Sequence, residues 1–444
     1  MTFAATSRRA LVGLLVLAAA VPASAMTLVE ALTRAAEHDP AVAVSLAQYD
    51  AEREAGGQER GSLLPTLGIG GSYDYARTEA TGVFGKAQGT YPTWSAQIEA
   101  RQPLFRLDWF ARRDRARALD DRAVAGQLDR KQKLLVRLAD RYFAVLVAQD
   151  QLAQAEAEAK AVRESLEDTR KRYEVELVPG TDLKEAQARD DLAQARLLSA
   201  RTGLETAQDA LDELTANGHV ALPVLPEDVA FPPLAPADAE QWVEAARTQS
   251  PAIALARQAA QIADADRRSA RSKAMPTLDL VASAGRQDTS EYSFGQEVDD
   301  ARVGVELNVP IYAGGVNSAR IRQAKANALV AEADLKRVTL ETERSARQLY
   351  RQVVTAYYES DAFKKSLESA QAAEAATRAG YDAGTRTITD VLDAKSRVVQ
   401  ASRDLNGTRY RLLQGLIQLR QTTGELAEQD FALIDQLLRY PPAH

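Results

Sequence analysis

"RVGVELNV", residues 302–309, alternates apolar residues with polar or small ones. Val303, Val305, Leu307 and Val309 fall on one side of an extended chain; Arg302, Gly304, Glu306 and Asn308 fall on the other. A period of two with one apolar and one polar face is a strand pattern. "TLGIGGSYDY" (66–75) repeats it, setting Leu67, Ile69, Tyr73 and Tyr75 against Thr66, Gly68, Ser72 and Asp74. "TWSAQIEARQ" (93–102) sets Trp94, Ala96, Ile98 and Ala100 against Thr93, Ser95, Gln97, Glu99 and Arg101. "TLDLVASAG" (277–285) is weaker, with Leu278 and Leu280 against Asp279. Each segment is read as about 10 residues, the length of a tilted membrane-crossing strand. A soluble two-hairpin sheet is the alternative. Its apolar side would then rest on helix ends such as "DWFARRDRARALDDR" (108–122), which are rich in Arg and Asp.

Four strands cannot close a membrane pore, because single-chain barrels begin at about eight strands. An open edge in hydrocarbon leaves backbone groups unpaired at several kcal/mol each. Several copies must therefore share one barrel.

Outward from the strands the composition is helical: Ala, Leu, Gln, Arg, Glu and Asp. Leu107–Arg172 contains no proline and one glycine, Gly126; Val316–Ala379 contains neither. Each run makes a helix of roughly 95–100 Å at about 1.5 Å per residue, too long for one globular core. A solvent-exposed coiled-coil stalk would explain the helices but not the strands.

The halves of the chain echo one another in order. "EHDPAV" (37–42) returns as "TQSPAI" (248–253), "LLPTLGIG" (63–70) as "AMPTLDLV" (274–281), and "RQPLF" (101–105) as "NVPIY" (308–312). Two short turns break the long helical patterns in the same way: "RYEVELVPGTDLKEAQA" (172–188) and "GYDAGTRTITDVLDAKS" (380–396). Tyr173 and Tyr381 are 208 residues apart, as are Asp182 and Asp390. Internal repeats of this kind govern the fold.

Residues 1–25 read as a cleaved secretory leader: Arg8 and Arg9, an apolar run, then Ala23-Ser24-Ala25. Its removal takes two positive charges from a formal net charge of −7, leaving −7 − 2 = −9. That balance argues against nucleic acid as a partner. The chain has no cysteine, so disulfides, thiol chemistry and a Cys-borne lipid are excluded. His38, His219 and His444 stand isolated, without metal-ligand spacing. No phosphate-binding loop or nucleophile motif appears. No enzyme activity, catalytic residue, metal or cofactor is expected.

At the turns this sequence resembles the TolC family of outer-membrane export channels, and the resemblance covers nearly the whole chain after residue 25. It rests on the duplicated order of helix, "LLP" or "AMP", hairpin, "QPLF" or "VPIYAGG", long helix and tip, and above all on "YDAGTRTITDVLDA" (381–394). The first tip departs from the pattern: Glu176 stands where the family usually has glycine, and Pro179-Gly180 is unusual. The first strand-to-helix junction also lacks the glycine pair found at Gly314 and Gly315.

The resemblance implies a mainly α protein with a membrane β-barrel. Three copies would complete a twelve-stranded barrel above a long α-helical barrel. That homotrimer would sit in outer-membrane lipid and extend into the periplasm. It would receive substrates from an inner-membrane transporter of the ABC, RND or MFS class through a periplasmic adaptor protein. The expected divisions are helical barrel at 26–62 and 239–273, membrane hairpins at 63–106 and 274–312, and long helices at 107–215 and 313–423. Tips are expected near 173–183 and 380–390, with equatorial segments at 216–238 and 424–444.

Carried over residue by residue, Tyr381 bonds Asp182 and Arg386 contacts Thr181, closing the entrance. Asp390 and Asp393 ring the opening. Glu176, Leu177, Val178, Pro179 and Gly180, with Gly384 and Thr385, meet the adaptor. The residues themselves leave other roles open. Thr387-Ile-Thr-Asp390 fits a helix capping box, Asp182 after Thr181 fits a cap as well, and Tyr381 and Arg386 fit a simple covering of the tip. Asp393 lies too deep in its helix to cap it. The rival functions are a diffusion porin, which needs no closable tip, and a trimeric coiled-coil envelope protein, which needs no strands.

Overall fold

The computed structural model describes residues 26–82, 85–226, 229–288 and 297–438. The expected leader at 1–25 and the end of the tail lie outside them.

Proline and glycine punctuate the helices. α1 (Leu28–His38) is separated from α2 (Pro40–Gly61) by Asp39, whose carboxylate accepts the Ala41 N–H at 2.8 Å. Pro40 occupies the first helical position, where its missing N–H costs nothing. The hairpin β1 (Thr66–Gly82) and β2 (Gly85–Phe105) follows, then α3 (Trp109–Glu174) and α4 (Gly180–Thr215). The second half runs α5 (Ala239–Gln249), α6 (Pro251–Ser272), β3 (Thr277–Asp288), β4 (Glu297–Asn308), α7 (Val316–Asp382) and α8 (Ile388–Thr423), with α9 (Glu428–Leu437) at the end. Corresponding helices match closely in length: 11 and 11 residues for α1 and α5, 22 and 22 for α2 and α6, 66 and 67 for α3 and α7, 36 and 36 for α4 and α8. No described helix is apolar enough to cross a membrane.

The strands form one antiparallel sheet in the order β1-β2-β3-β4, leaving β1 and β4 as its two edges. Register decides what the sheet presents. Ile69 pairs with Ile98, Ile98 with Ala284, and Ala284 with Ala301. One step away, Leu67, Ala100, Ala282 and Val303 form the next row. The four alternating patterns are thus in phase, and their apolar residues share one face. A slip of one residue in any strand would have moved its whole apolar set to the other side. This face is bare in the single chain: Ile69 is 83% exposed and Val303 79%.

The opposite face carries charge. Arg101 bonds Asp279 at 3.4 Å, Glu306 at 3.0 Å and Glu99 at 3.4 Å, while Arg106 reaches Asp279 at 3.2 Å. The expected strand length of about 10 residues is corrected. β1 has 17 residues and β2 has 21, against 12 each in β3 and β4. Beyond Trp94, which pairs with Asp288 at the end of the described residues of β3, the first hairpin continues with β1 and β2 paired to each other.

The contacts divide the chain into two compact units. One gathers residues up to Ala35, Arg141–Ala230 and the chain from Glu428. Its core holds Leu28, Tyr142, Phe143, Leu146, Leu211, Leu222 and Phe431. Here α9 caps α1: the Asp435 carboxylate accepts the Leu28 N–H at 2.8 Å and the Val29 N–H at 2.9 Å. Burial pushes the Asp435 carboxyl above the ordinary aspartate range, and the two N–H bonds only partly offset it. The other unit, Ala36–Asp140 with Phe231–Ala427, contains the sheet and packs α7 against α5, α6 and α8. Arg247 of α5 bonds Glu343 of α7 at 2.9 Å, and the Trp242 indole N–H donates to the Pro236 carbonyl at 2.9 Å.

Candidate functional site

The two tips lie in different units, and each has its own geometry. They share one backbone turn. In the first, the Glu176 N–H donates to the Tyr173 carbonyl at 3.0 Å and the Leu177 N–H to Arg172 at 2.9 Å. In the second, the Gly384 N–H donates to Tyr381 at 2.9 Å and the Thr385 N–H to Gly380 at 2.8 Å. The turn needs a left-handed residue, and Gly384 supplies it at φ 73°. The first tip places Glu176 there, at φ 58°. A non-glycine residue in this region carries roughly 1–2 kcal/mol of strain, part of which glycine returns as unfolded-chain entropy. Glu176→Gly is therefore expected to slow exchange of the Leu177 amide by about two- to fivefold, measured by hydrogen exchange.

The first tip is apolar at its crest. Leu177 is 73% exposed, Val175 and Tyr173 are exposed beside it, and Val178 is half-buried before Pro179. The alternative role left open for Asp182, a cap on α4, is not the one it takes. α4 begins at Gly180 with Pro179 as its N-cap, and no side chain caps it. Asp182 sits inside the first turn, where its charge favours the helix dipole, and the Thr181 hydroxyl donates to it at 3.2 Å.

The second tip is polar. Thr387 and Asp390 form a reciprocal capping box: the Thr387 N–H donates to Asp390 Oδ2 at 2.9 Å and the Asp390 N–H to Thr387 Oγ1 at 3.2 Å. The Thr387 N–H holds the Asp390 carboxyl below the ordinary range, with help from the Thr387 hydroxyl, Arg386 and Arg397. This cap is thus fully formed above the usual aspartate pKa of about 3.9 and is lost only as pH falls below it. Arg386 folds back along α7, and a Cβ on Gly380 would come within 2.9 Å of its Cγ.

Arg386 and Asp390 line a cleft of about 320 Å³ between α7 and α8, with Arg397 and the small residues Ala370, Ala373, Thr377 and Ala394. Sequence reading missed Arg397. Its spacing of seven from Asp390 and four from Asp393 puts all three on one side of α8. Tyr381 is half-buried, and Asp393 is exposed one turn beyond Asp390. Among the described residues no group of three His, Cys, Asp or Glu is placed to hold a metal.

The sequence profile of the family described as outer membrane efflux protein matches residues 31–217 and 242–425. The chain belongs to the outer membrane efflux protein family. Relatives agree with this. Outer membrane protein TolC of Vibrio cholerae is 32% identical over 414 residues, covering 91% of this chain and 92% of the relative. The alkaline protease secretion protein AprF of Pseudomonas aeruginosa is 31% identical, covering 93% and 87%. The fold matches the crystal structure of the Campylobacter jejuni CmeC outer membrane channel with a TM-score of 0.77 at 15% identity, covering 92% and 89%. As a member of this efflux family the protein is an outer-membrane export channel, serving efflux or type I secretion. It is mostly helical with a small antiparallel sheet, as the related channels are.

Proposed function

We propose that three copies of this efflux-family chain form one passive conduit. Each gives four strands to a shared twelve-stranded barrel, and the long helices form a tunnel across the periplasm. The observation that carries this is the in-phase sheet: an exposed apolar face, a charged reverse and two open edges. The apolar face meets lipid and the charged face, with Arg101, Glu306 and Asp279, meets the lumen. The paired helix lengths and the matching turns at Glu176 and Gly384 support an internal duplication.

The tips form the entrance. Tyr381 bonds Asp182 and Arg386 contacts Thr181 in the closed state. The crest of the first tip, Glu176 to Gly180, and Gly384-Thr385 of the second receive a periplasmic adaptor. An inner-membrane transporter of the ABC, RND or MFS class supplies the energy. Asp390 and Asp393 from every copy gather around the axis, where crowded carboxylates attract cations. Asp390 carries this role beside its cap; Asp393 has no capping role. Single-channel recording in a planar bilayer tests this. Asp390→Ala with Asp393→Ala should reduce cation selectivity several-fold and abolish block by multivalent cations. Unchanged selectivity and block would reduce both residues to cap and solvated surface.

A further inference from the structure

The exposed apolar face has ends, and they do not follow the strand register. On β1 the apolar set starts at Leu67 and closes with Tyr75, followed by Arg77. On β4 it closes at Ala301, because Asp299 and Glu297 come next on that face. Ala301 lies in the row of Ile69, about six residues short of Tyr75. The band therefore crosses the sheet obliquely. At its other end β4 carries the pattern on through Val309, which is exposed.

We propose that β4 of one copy pairs antiparallel with β1 of the next in a single register, in which Ala301 faces Tyr75. This rests on the shared barrel described above, and the occupant of both open edges is a second copy of this chain. A bilayer has one hydrocarbon slab, so the apolar band must join itself across the contact. Matching the upper limits puts Ala301 opposite Tyr75. In that alignment Val309, the last residue of the alternating run before Pro310, falls opposite Leu67, since both pairs sum to 376; Ile311, exposed beyond Pro310, lies outside the pairing.

Tilt agrees. The chain then steps about six residues, about 20 Å, for every four strand spacings, about 19 Å. That corresponds to a strand tilt of about 45°, the upper end of the range for membrane barrels. A step of odd length would mix the faces and is excluded.

Charge agrees as well. The register sets Asp74 against Arg302 on the lumen face and Arg77 against Asp299 on the outer face, above the apolar band; Arg302 bonds Asp300 at 2.9 Å and Asp299 accepts from Arg286 at 2.7 Å within the chain, so each opposed charge joins an existing pair. Directly opposed unlike charges stabilise a strand pair, and like charges oppose it. Shifting by two residues one way sets Asp74 against Asp300; shifting the other way sets Glu79 against Asp299. In the proposed register a like pair, Glu79 with Glu297, falls at the outer strand end, where salt screens it.

The chain has no cysteine, so the register can be read by cross-linking the full-length protein in outer-membrane fractions. Asp74→Cys with Arg302→Cys should give covalent multimers on mild oxidation, at least fivefold above Asp74→Cys with Asp300→Cys or Asp74→Cys with Gly304→Cys. Within one chain β1 and β4 are three strand spacings apart, about 14 Å, so these pairs report contacts between copies. Preferential linking in either shifted pair overturns the register and leaves the shared barrel standing. Absence of multimers from all three pairs overturns both. Charge removal supplies the second test. Asp74→Asn and Arg302→Gln should each lower the yield of detergent-resistant oligomer, and the double variant should lose little more than Arg302→Gln alone. Losses that multiply in the double variant contradict the proposed pairing.

Discussion

Leu307→Arg is expected to abolish assembly in the outer membrane, while Asn308→Arg leaves it near normal. The two residues are neighbours on β4, and both are exposed in the single chain. Register gives them opposite faces: Leu307 pairs with Leu278 on the apolar side, and Asn308 with Thr277 on the other. Arginine on the lipid face costs about 2–4 kcal/mol at the midplane and about 0–1 near the interfaces, and Leu307 lies between the centre of the band at Val305 and its edge at Val309. A shared barrel repeats an intermediate cost of about 2 kcal/mol in each of three copies, giving about 6 kcal/mol, comparable to the whole stability of a typical domain. On the lumen side the new guanidinium stays in water. The measurement is the amount of heat-modifiable oligomer in outer-membrane fractions. Equal loss at both positions would contradict the face assignment.

Tyr381→Phe combined with Arg386→Ser is expected to raise single-channel conductance several-fold at constant salt. Tyr381 precedes the left-handed turn at Gly384, and Arg386 folds back over Gly380. Neither change disturbs the glycine that sets the turn or the Thr387–Asp390 box that starts α8. The helical hairpin therefore keeps its turn and its cap, and loses the proposed tie to the neighbouring tip. The phenol-to-Phe change removes one hydroxyl and the Arg-to-Ser change one charged donor, so on the proposed closure the entrance loses both fastening groups and keeps Asp390 and Asp393. Unchanged conductance, with the tip still folded by hydrogen exchange, would mean that these side chains cover surface and do not close the entrance.

Much of this was legible in the chain. The alternation at Val303, Val305 and Leu307 gave strand, face and phase, because a period of two admits little else. Pro40 and Pro251 were legible as echoes of one another; the structure puts both at helix starts, since proline fits the first turn and little beyond it. The Thr-x-x-Asp spacing at 387–390 announced a cap that the structure contains. The misses have physical causes. The ribbon extension of β1 and β2 lacks an alternating apolar set, so only its backbone pairing makes it a strand. A cap at Asp182 stayed open as an alternative because it follows a threonine; Pro179, with extended backbone at ψ 156°, moves the helix start to Gly180 and leaves Asp182 within the first turn. The cleft around Arg386 joins residues of two helices, and Ala370 and Thr377 give no local sign of it. The bond from Asp435 to the start of α1 spans 407 positions and leaves no local trace.

The central claim is that a four-stranded chain functions only as a shared barrel, and native mass spectrometry of the purified protein in detergent tests it most directly. A trimer that persists until the detergent-folded state is lost is expected. A stable, folded, membrane-inserted monomer would contradict it, because β1 and β4 would then carry open edges in hydrocarbon.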